Sequence, residues 1–171
     1  MDRIDIDTWA TISAEGWSSL LLGNGASIAI HKEFAYPTLH GIADAKGLLA
    51  TTAPIFAKLG TTDFEHVLLA CWYAEHVNGA LGAPSAAISA AYEEVRTALI
   101  EAVHSVHPVH ADVATDLQRV GAFASAFPTV VSLNYDLTLY WAMLLFNAAN
   151  GSWFKDAFHD GEFQTDWDYL R

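Results

Sequence analysis

Two short apolar segments, each ending in a polar turn, most constrain the fold of this 171-residue chain. Residues 18–22 (SSLLL) end in a glycine-rich turn, and residues 129–133 (TVVSL) lie between Pro128 and Asn134. Short runs with apolar residues on both faces, bounded by glycine, proline or asparagine, are typical of the buried strands of a parallel sheet. We therefore predict two buried parallel strands, each followed by a turn and a helix.

The spacing of apolar residues predicts several helices between these strands. The longest covers residues 85–107, which carry an apolar stripe at helical spacing. A helix is predicted to begin at Ser27, and another covers residues 112–127. Thr62 and Glu65 have the spacing of a capping box, in which each side chain accepts a hydrogen bond from the other's backbone amide at a helix start. Glu65 is therefore interpreted first as a helix cap.

The order of elements indicates a helix-rich α/β fold with one domain over residues 1–171 and a large helical insertion at residues 42–127. A doubly wound sheet has about five or six strands, and the sequence predicts two. Hydrophobic residues make up 53% of the chain and charged residues 16%, against roughly 25% charged residues in a typical soluble domain. Many apolar groups must then lie on the surface. This predicts either a homo-oligomer or partner-subunit interface, or a chain that is the N-terminal part of a larger fold.

Charge and cysteine content exclude several kinds of partner and site. Eight Lys and Arg against 20 Asp and Glu give a net charge of −12, which repels nucleic acid and anionic membrane surfaces. The single cysteine, Cys71, can form neither an internal disulfide nor a cysteine-based zinc site. The acidic start of the chain does not resemble a signal peptide, and no apolar run reaches the ~18 residues of a membrane span. We expect a cytoplasmic protein that binds neither nucleic acid, nor a membrane, nor a metal ion.

The turn after the first strand is the first candidate site. It consists of Gly23, Asn24, Gly25, Ala26 and Ser27. Glycines after a strand let the backbone approach a phosphate, and the amides of the following helix can bind it. A full dinucleotide-binding motif would need glycine where Ile28 stands. A tight turn between strand and helix is therefore an equal alternative.

The end of the second strand is the other candidate site. Asn134 and Asp136 follow it on alternate positions, and ligands of open α/β sheets bind beyond the carboxyl ends of the strands. An amide and a carboxylate there can both hydrogen-bond a ribose. The alternative is an Asx turn, with Asp136 as the N-cap of a helix that begins at Leu137.

Taken together, the two motifs resemble sirtuin-like domains. The matching segments are Leu-Gly-Asn-Gly-Ala-Ser at residues 22–27, Thr-x-Asp-Phe-Glu at residues 61–65 and Asn-Tyr-Asp-Leu-x-Leu-Tyr-Trp at residues 134–141. They are similar in particular to an uncharacterised branch of the bacterial sirtuin-like group that acts in anti-phage defence. The resemblance extends from Leu20 to about Phe163.

This resemblance implies a Rossmann-like, sirtuin-type parallel sheet and NAD as substrate or ligand. Residues 23–27 would surround the NAD diphosphate and ribose. Asn134 and Asp136 would hold the nicotinamide ribose, with Asn134 orienting the attacking water, and Phe34 and Tyr36 would cover the nicotinamide. Sirtuin deacylases carry a four-cysteine zinc module that this chain cannot build, so the implied activity is NAD hydrolysis to nicotinamide and ADP-ribose, as a defence effector.

The catalytic histidine of the family has no clear counterpart here. The family places it after the Asn-x-Asp motif, on a further strand and followed by glycine. His159 is the only histidine after Asn134 and is the candidate, although its neighbours are similar to the segment that precedes that strand. The alternatives are that the histidine lies beyond residue 171, that another chain supplies it, or that the chain is a non-catalytic NAD or ADP-ribose binding module.

Other chemistry-bearing residues receive structural interpretations. His104, His107 and His110 are spaced by three, but Pro108 breaks the helix between them, so we do not expect a metal site. The aromatic residues predicted to belong to the core are Trp72, Tyr73 and Tyr92. A helical interaction protein that carries the motifs by chance is a further alternative.

Overall fold

The computed structural model describes residues 8–13, 15–159 and 162–164, and it is a helix-rich α/β structure. The helices are α1 (Trp9–Ile12), α2 (Asn24–Ile30), α3 (Tyr36–Ala45), α4 (Ala53–Leu59), α5 (Phe64–Leu81), α6 (Ala86–Val106), α7 (Ala114–Ala124) and α8 (Thr138–Asn150). The strands are β1 (Ser19–Leu22), β2 (Thr129–Ser132), β3 (Phe158–His159) and β4 (Glu162–Phe163). Among the residues described, none of the helices has the length and apolarity needed to cross a membrane.

The chain divides into two compact units. The first consists of Met1–Gly23, Ala114–Leu133 and Leu137–Arg171, and the second of Asn24–Val113 and Asn134–Asp136. The chain therefore passes from the first unit into the second directly after each of the two strands β1 and β2.

In the first unit, β1 and β2 pair in parallel, as predicted. Leu20 lies opposite Val130, and Leu22 lies opposite Ser132. The prediction that the strands are buried is wrong, because Leu21 is 64% and Val131 46% exposed. Side chains alternate between the faces of a strand, and a parallel strand is buried only when both faces are covered. Leu20 and Leu22 are partly buried while Leu21 is exposed, so one face of β1 is covered.

Two further features of the first unit are a close helix pair and an aromatic cluster. A Cβ atom at Gly121 of α7 would lie 2.9 Å from the carbonyl oxygen of Ala142 in α8. Glycine at this position therefore allows α7 and α8 to pack closely. Trp9 of α1 packs edge-on against Phe123 of α7, with ring centroids 5.1 Å apart.

The second unit is built around one hydrophobic core. Its buried members come from α3, α4, α5, α6, the short segment before α3 and the turn between α3 and α4; they are Phe34, Leu39, Ala43, Leu49, Phe56, Phe64, Val67, Cys71, Val95, Ala98, Leu99, Ala102 and Val103. In α6 the buried residues recur at three- and four-residue intervals, which is the stripe predicted from the sequence.

Helix boundaries agree with the sequence in some places and differ in others. The long helix predicted over residues 85–107 is confirmed as α6. The helix predicted from Ser27 begins at Asn24 instead; Gly23 and Gly25 have no positive φ, so no left-handed turn separates the strand from the helix. The helix predicted over residues 112–127 is a 3-10 turn at His110–Val113 followed by α7.

The core prediction for the aromatic residues of α5 is wrong. Trp72 is 45% and Tyr73 57% exposed. On this helix Val67 and Cys71, four residues apart, face the core, and a helix places the residues next to such a pair on other faces. The Trp72 ring packs instead on His76, with centroids 3.9 Å apart.

Candidate functional site

A small cavity in the second unit brings together residues that follow β1 and residues that follow β2. It is lined by Asn24, Phe34, Tyr36, Leu39, Glu65, Leu99, Val103, Asn134, Tyr135 and Asp136. The volume open to a water-sized sphere is about 20 Å³, which is enough for about one water molecule. The floor is apolar and comes from the core, and the polar groups come from both turns, α3 and the start of α5.

Ser27 connects the two predicted motifs. Its side chain is fully buried, and its Oγ donates a hydrogen bond to Asp136 Oδ2 at 2.5 Å. Asn134 Nδ2 donates to Ser27 Oγ at 2.7 Å. The hydroxyl therefore acts as donor and acceptor at once, and it fixes an amide and a carboxylate from a segment more than a hundred residues away.

Asn24 positions the aromatic segment beside this network. Its Nδ2 donates to the carbonyl oxygen of Phe34 at 3.1 Å. Phe34 is 1% exposed, and its ring packs edge-on against His107 with centroids 5.7 Å apart. One polar side chain at the start of α2 thus holds the backbone that leads into Tyr36 and α3.

Tyr36 and Glu65 form a second hydrogen-bonded pair in the cavity wall. The Tyr36 hydroxyl donates to Glu65 Oε2 at 2.8 Å. Burial, the hydrogen bond to Glu65 and the negative charges of Glu65 and Asp63 raise the pKa of Tyr36 far above its usual range. Burial and then the charge of Glu65 also raise the pKa of Tyr135. Both phenols are therefore protonated near neutral pH and can act as hydrogen-bond donors.

Glu65 does not cap α5, which corrects the capping-box prediction. Asp63 is the N-cap, and its Oδ1 accepts hydrogen bonds from the backbone amides of Glu65 at 2.9 Å and His66 at 3.2 Å. The Glu65 carboxylate accepts the hydrogen bond from the Tyr36 hydroxyl instead of one from the Thr62 amide. The alternative interpretation of Asp136 as an N-cap is also corrected. Leu137, not Asp136, occupies the N-cap position of α8.

Most of the residues predicted from the strand-end motifs are brought together here. Asn24, Phe34, Tyr36, Asn134 and Asp136 line the cavity, and Ser27 hydrogen-bonds two of them. The remaining members of the glycine-rich turn do not line it; they are Gly23, Gly25 and Ala26. Space is open above both glycines, because an added Cβ would meet no atom within 4 Å.

A family comparison covers nearly the whole chain. The sequence model of a domain of unknown function, DUF4917, matches residues 20–171. The chain belongs to this family. The matched range contains β2, all of β1 except Ser19, and every residue that lines the cavity. No curated protein and no solved structure matches the chain.

His159, the histidine predicted as a catalytic base, stays a prediction in the DUF4917 chain. The backbone of His159 forms β3 with Phe158, and its side chain lies outside the described residues. Among the described residues, the cavity wall contains no histidine. The described part of the chain contains no group of three or more His, Cys, Asp and Glu side chains arranged to hold a metal ion.

The titratable groups that the described residues contribute to the DUF4917 cavity wall are two carboxylates and two phenols. Fixed carboxylates stabilise positive charge that develops on a bound molecule, and phenol and amide groups donate hydrogen bonds to it. Two of these residues, Glu65 and Tyr135, were not among the site residues predicted from the sequence. Tyr135 could have been found from its position between Asn134 and Asp136, whereas Glu65 had a structural explanation in the capping box.

Proposed function

We propose that this DUF4917 member is a sirtuin-like NAD-binding domain with a Rossmann-like parallel sheet, and that its site hydrolyses NAD to nicotinamide and ADP-ribose. The observation that carries the proposal is the pair of hydrogen bonds at the Ser27 hydroxyl, which donates to Asp136 and accepts from Asn134. They bring the residues after β1 to the residues after β2, which is the convergence expected where an α/β sheet binds a nucleotide.

The chemistry of the cavity wall suits the cleavage of an N-ribosyl bond. NAD carries a positively charged nicotinamide ring, and breaking the bond from its nitrogen to the ribose transfers positive character to the ribose. Carboxylates beside that sugar stabilise the charge as it develops, as they do in glycoside hydrolysis. In this proposal Asp136 holds the nicotinamide ribose, Asn134 orients the attacking water, and Phe34 and Tyr36 cover the ring.

The size of the cavity sets a condition on substrate binding. About 20 Å³ fits the attacking water, but not a ribose or a nicotinamide ring. We therefore propose that the water occupies the cavity and that exposed wall residues move aside for the substrate. Tyr135 is the first candidate for this movement, because it is 57% exposed. The open space above Gly23 and Gly25 leaves room for close approach of the diphosphate.

The test is nicotinamide release from NAD by the purified chain, with Asn134→Ala as the variant. We expect release by the wild type and a loss of about 100-fold or more in the variant, because a positioned hydrogen-bonding group in an active site is worth about that much. Gln118→Ala, an exposed amide on α7, is the matched control and should retain wild-type release. Equal release by the wild type and Asn134→Ala would contradict the proposed site.

A second candidate is a non-catalytic NAD or ADP-ribose binding module, or a subunit completed by a partner or a second copy that supplies the histidine. The observation that favours it is the lack of histidine among the described residues of the cavity wall. It predicts tight calorimetric binding of ADP-ribose with no nicotinamide release by the chain alone. Release that appears only after a partner is added would identify the partner-dependent form.

We further propose that the biological role is that of a cytoplasmic anti-phage defence effector. Such an effector would lower cellular NAD after infection. The measurement is the NAD content of infected bacteria expressing the wild type or Asn134→Ala, and equal NAD content in the two cultures would contradict this role.

A further inference from the structure

The cavity contains a carboxylate to which the sirtuin-like resemblance gives no role. Glu65 lies in the first turn of α5, and its carboxylate lines the same cavity as Asn134 and Asp136. Its two oxygens differ in their surroundings. Oε2 accepts the hydrogen bond from the Tyr36 hydroxyl at 2.8 Å, while Oε1 has no hydrogen-bond partner among the described residues.

The Tyr36 hydroxyl fixes the Glu65 side chain, which is otherwise exposed. A free glutamate at such a position would sample several rotamers, and holding it in one arrangement is what positions a catalytic group. The raised pKa of Tyr36 keeps this hydroxyl protonated, so it remains a hydrogen-bond donor to Glu65. The N-cap of α5 is Asp63, and the Glu65 carboxylate bonds to Tyr36 rather than to a backbone amide of the helix start, so helix capping does not account for Glu65.

The other carboxylate in the wall is engaged differently. Asp136 Oδ2 accepts the 2.5 Å hydrogen bond from the buried Ser27 hydroxyl, and the network continues to the Asn134 amide. Asp136 is thus part of the hydrogen-bond network that holds the segment proposed to bind the ribose. Glu65 lines the cavity and its Oε1 is not engaged by Tyr36, which leaves this oxygen for a water molecule in the cavity, whose volume of about 20 Å³ fits about one.

We infer that Glu65 is the general base of the proposed hydrolysis and that Tyr36 is its positioning residue. In this step the water oxygen forms a bond to the ribose carbon that carries the nicotinamide. One water proton passes to Glu65 Oε1 and then to solvent. The carbon–nitrogen bond breaks and its electron pair stays on the ring nitrogen, which releases neutral nicotinamide. The inference rests on the proposed NAD hydrolysis, and it assigns the proton transfer without any histidine.

Glu65→Gln tests the inference because it keeps the size of the side chain and removes its basicity. We expect nicotinamide release to fall about 100- to 10,000-fold, the usual contribution of a general base. The dissociation constant for ADP-ribose, measured by calorimetry, should stay within about threefold, since a base acts on the reaction more than on ligand binding. Glu101→Gln, an exposed carboxylate on α6, is the matched control and should behave as the wild type.

Chemical rescue and the Tyr36→Phe variant separate a base from a structural residue. Glu65→Ala should regain release when formate is added, because a small carboxylate can occupy the vacated space and accept the proton. Tyr36→Phe keeps the ring and loses the hydroxyl, so we expect kcat to fall about tenfold with KM little changed. Circular dichroism spectra equal to that of the wild type confirm that the variants are folded.

The outcomes distinguish this inference from the proposed function. Release by the wild type, with Glu65→Gln within threefold of it, would overturn the role of Glu65 and leave NAD hydrolysis standing. Loss of release in Glu65→Gln together with loss of ADP-ribose binding, or no rescue of Glu65→Ala by formate, would show a structural or binding role instead. No release by the wild type would overturn the proposed hydrolysis, and the assigned base with it.

Discussion

At the scale of single residues, Ser27 is the residue on which the arrangement of the site depends most. It is fully buried and hydrogen-bonds both Asn134 and Asp136. A buried hydroxyl with satisfied partners contributes modestly to stability, but its removal takes a partner from each group that it held. The position therefore affects the stability of the fold as well as the geometry of the cavity.

Ser27→Ala should lower the free energy of unfolding by about 1–3 kcal/mol, because the Asn134 amide and the Asp136 carboxylate each lose a partly buried hydrogen bond. Urea denaturation followed by circular dichroism measures this. Ser105→Ala is the control, since Ser105 lies on the exposed side of α6 and bonds only to its own helix turn; it should change stability by less than about 0.5 kcal/mol. Equal effects of the two substitutions would show that the Ser27 bonds contribute little.

The sequence predicted part of the site at this scale. Asn24, Ser27, Asn134 and Asp136 were found because they directly follow strand segments, where α/β sheets bind their ligands. Glu65 was not found, because its partner Tyr36 is 29 residues away and its own surroundings suggested a helix cap. Long-range pairs of this kind depend on how helices pack, which local patterns do not specify.

At the scale of elements, a carboxylate on α6 holds the start of α4. Glu94 accepts hydrogen bonds from the backbone amides of Thr51 at 2.9 Å and Thr52 at 3.1 Å. It also accepts from the hydroxyls of both threonines. Thr52 is the N-cap residue of α4 and makes no cap hydrogen bond with its own side chain. Glu94 therefore connects α6 to the segment before α4 and satisfies the amides there.

The pKa of Glu94 predicts how this connection depends on pH. Partial burial by itself raises the pKa of Glu94, but the hydrogen bonds from Thr51 and Thr52 outweigh it and lower the pKa below the ordinary glutamate value of 4.5. A lowered folded-state pKa stabilises the protein above the unfolded-state value, and the contribution is lost as pH falls through the folded-state value. Glu94→Gln should therefore destabilise the chain by about 1 kcal/mol at neutral pH.

Urea denaturation of the wild type and Glu94→Gln across a pH series measures this. The difference between them should be constant well above pH 4.5 and shrink below it, because the protonated glutamic acid then resembles glutamine. Glu101→Gln, which makes no such contacts, should track the wild type over the whole series. A difference that stays constant down to the acid limit would contradict the proposed charge-dependent connection.

The accuracy with which each helix or strand could be predicted depended on which sequence pattern marked it. Helix α6 was predicted almost to the residue, because its apolar stripe and the following Pro108 mark it clearly. The start of α2 was placed three residues late, because glycines beside Asn24 suggested a turn and the chain has no left-handed residue there. The burial of β1 and β2 was overestimated, because apolar composition shows what a strand can bury and not what covers it.

At the scale of the whole molecule, the sequence predicted an unusually apolar surface, and exposed apolar side chains occur in both units. On α5 they are Leu69, Trp72, Tyr73, Val77 and Leu81. In the parallel pair and the turn after it they are Leu21, Val131 and Leu133. The homo-oligomer or partner subunit expected from the composition stays a prediction. Which residues would be exposed could not be read from composition, because it depends on the packing of neighbouring elements.

The central claim is that the cavity formed by the two strand-end motifs is an NAD site. The most direct measurement is quantitative chromatography of the products after the purified chain has been incubated with NAD. The account predicts that nicotinamide and ADP-ribose appear in equal amounts with the wild type and that both are lost with Asn134→Ala. A wild-type chain that releases no nicotinamide and binds no ADP-ribose would contradict it.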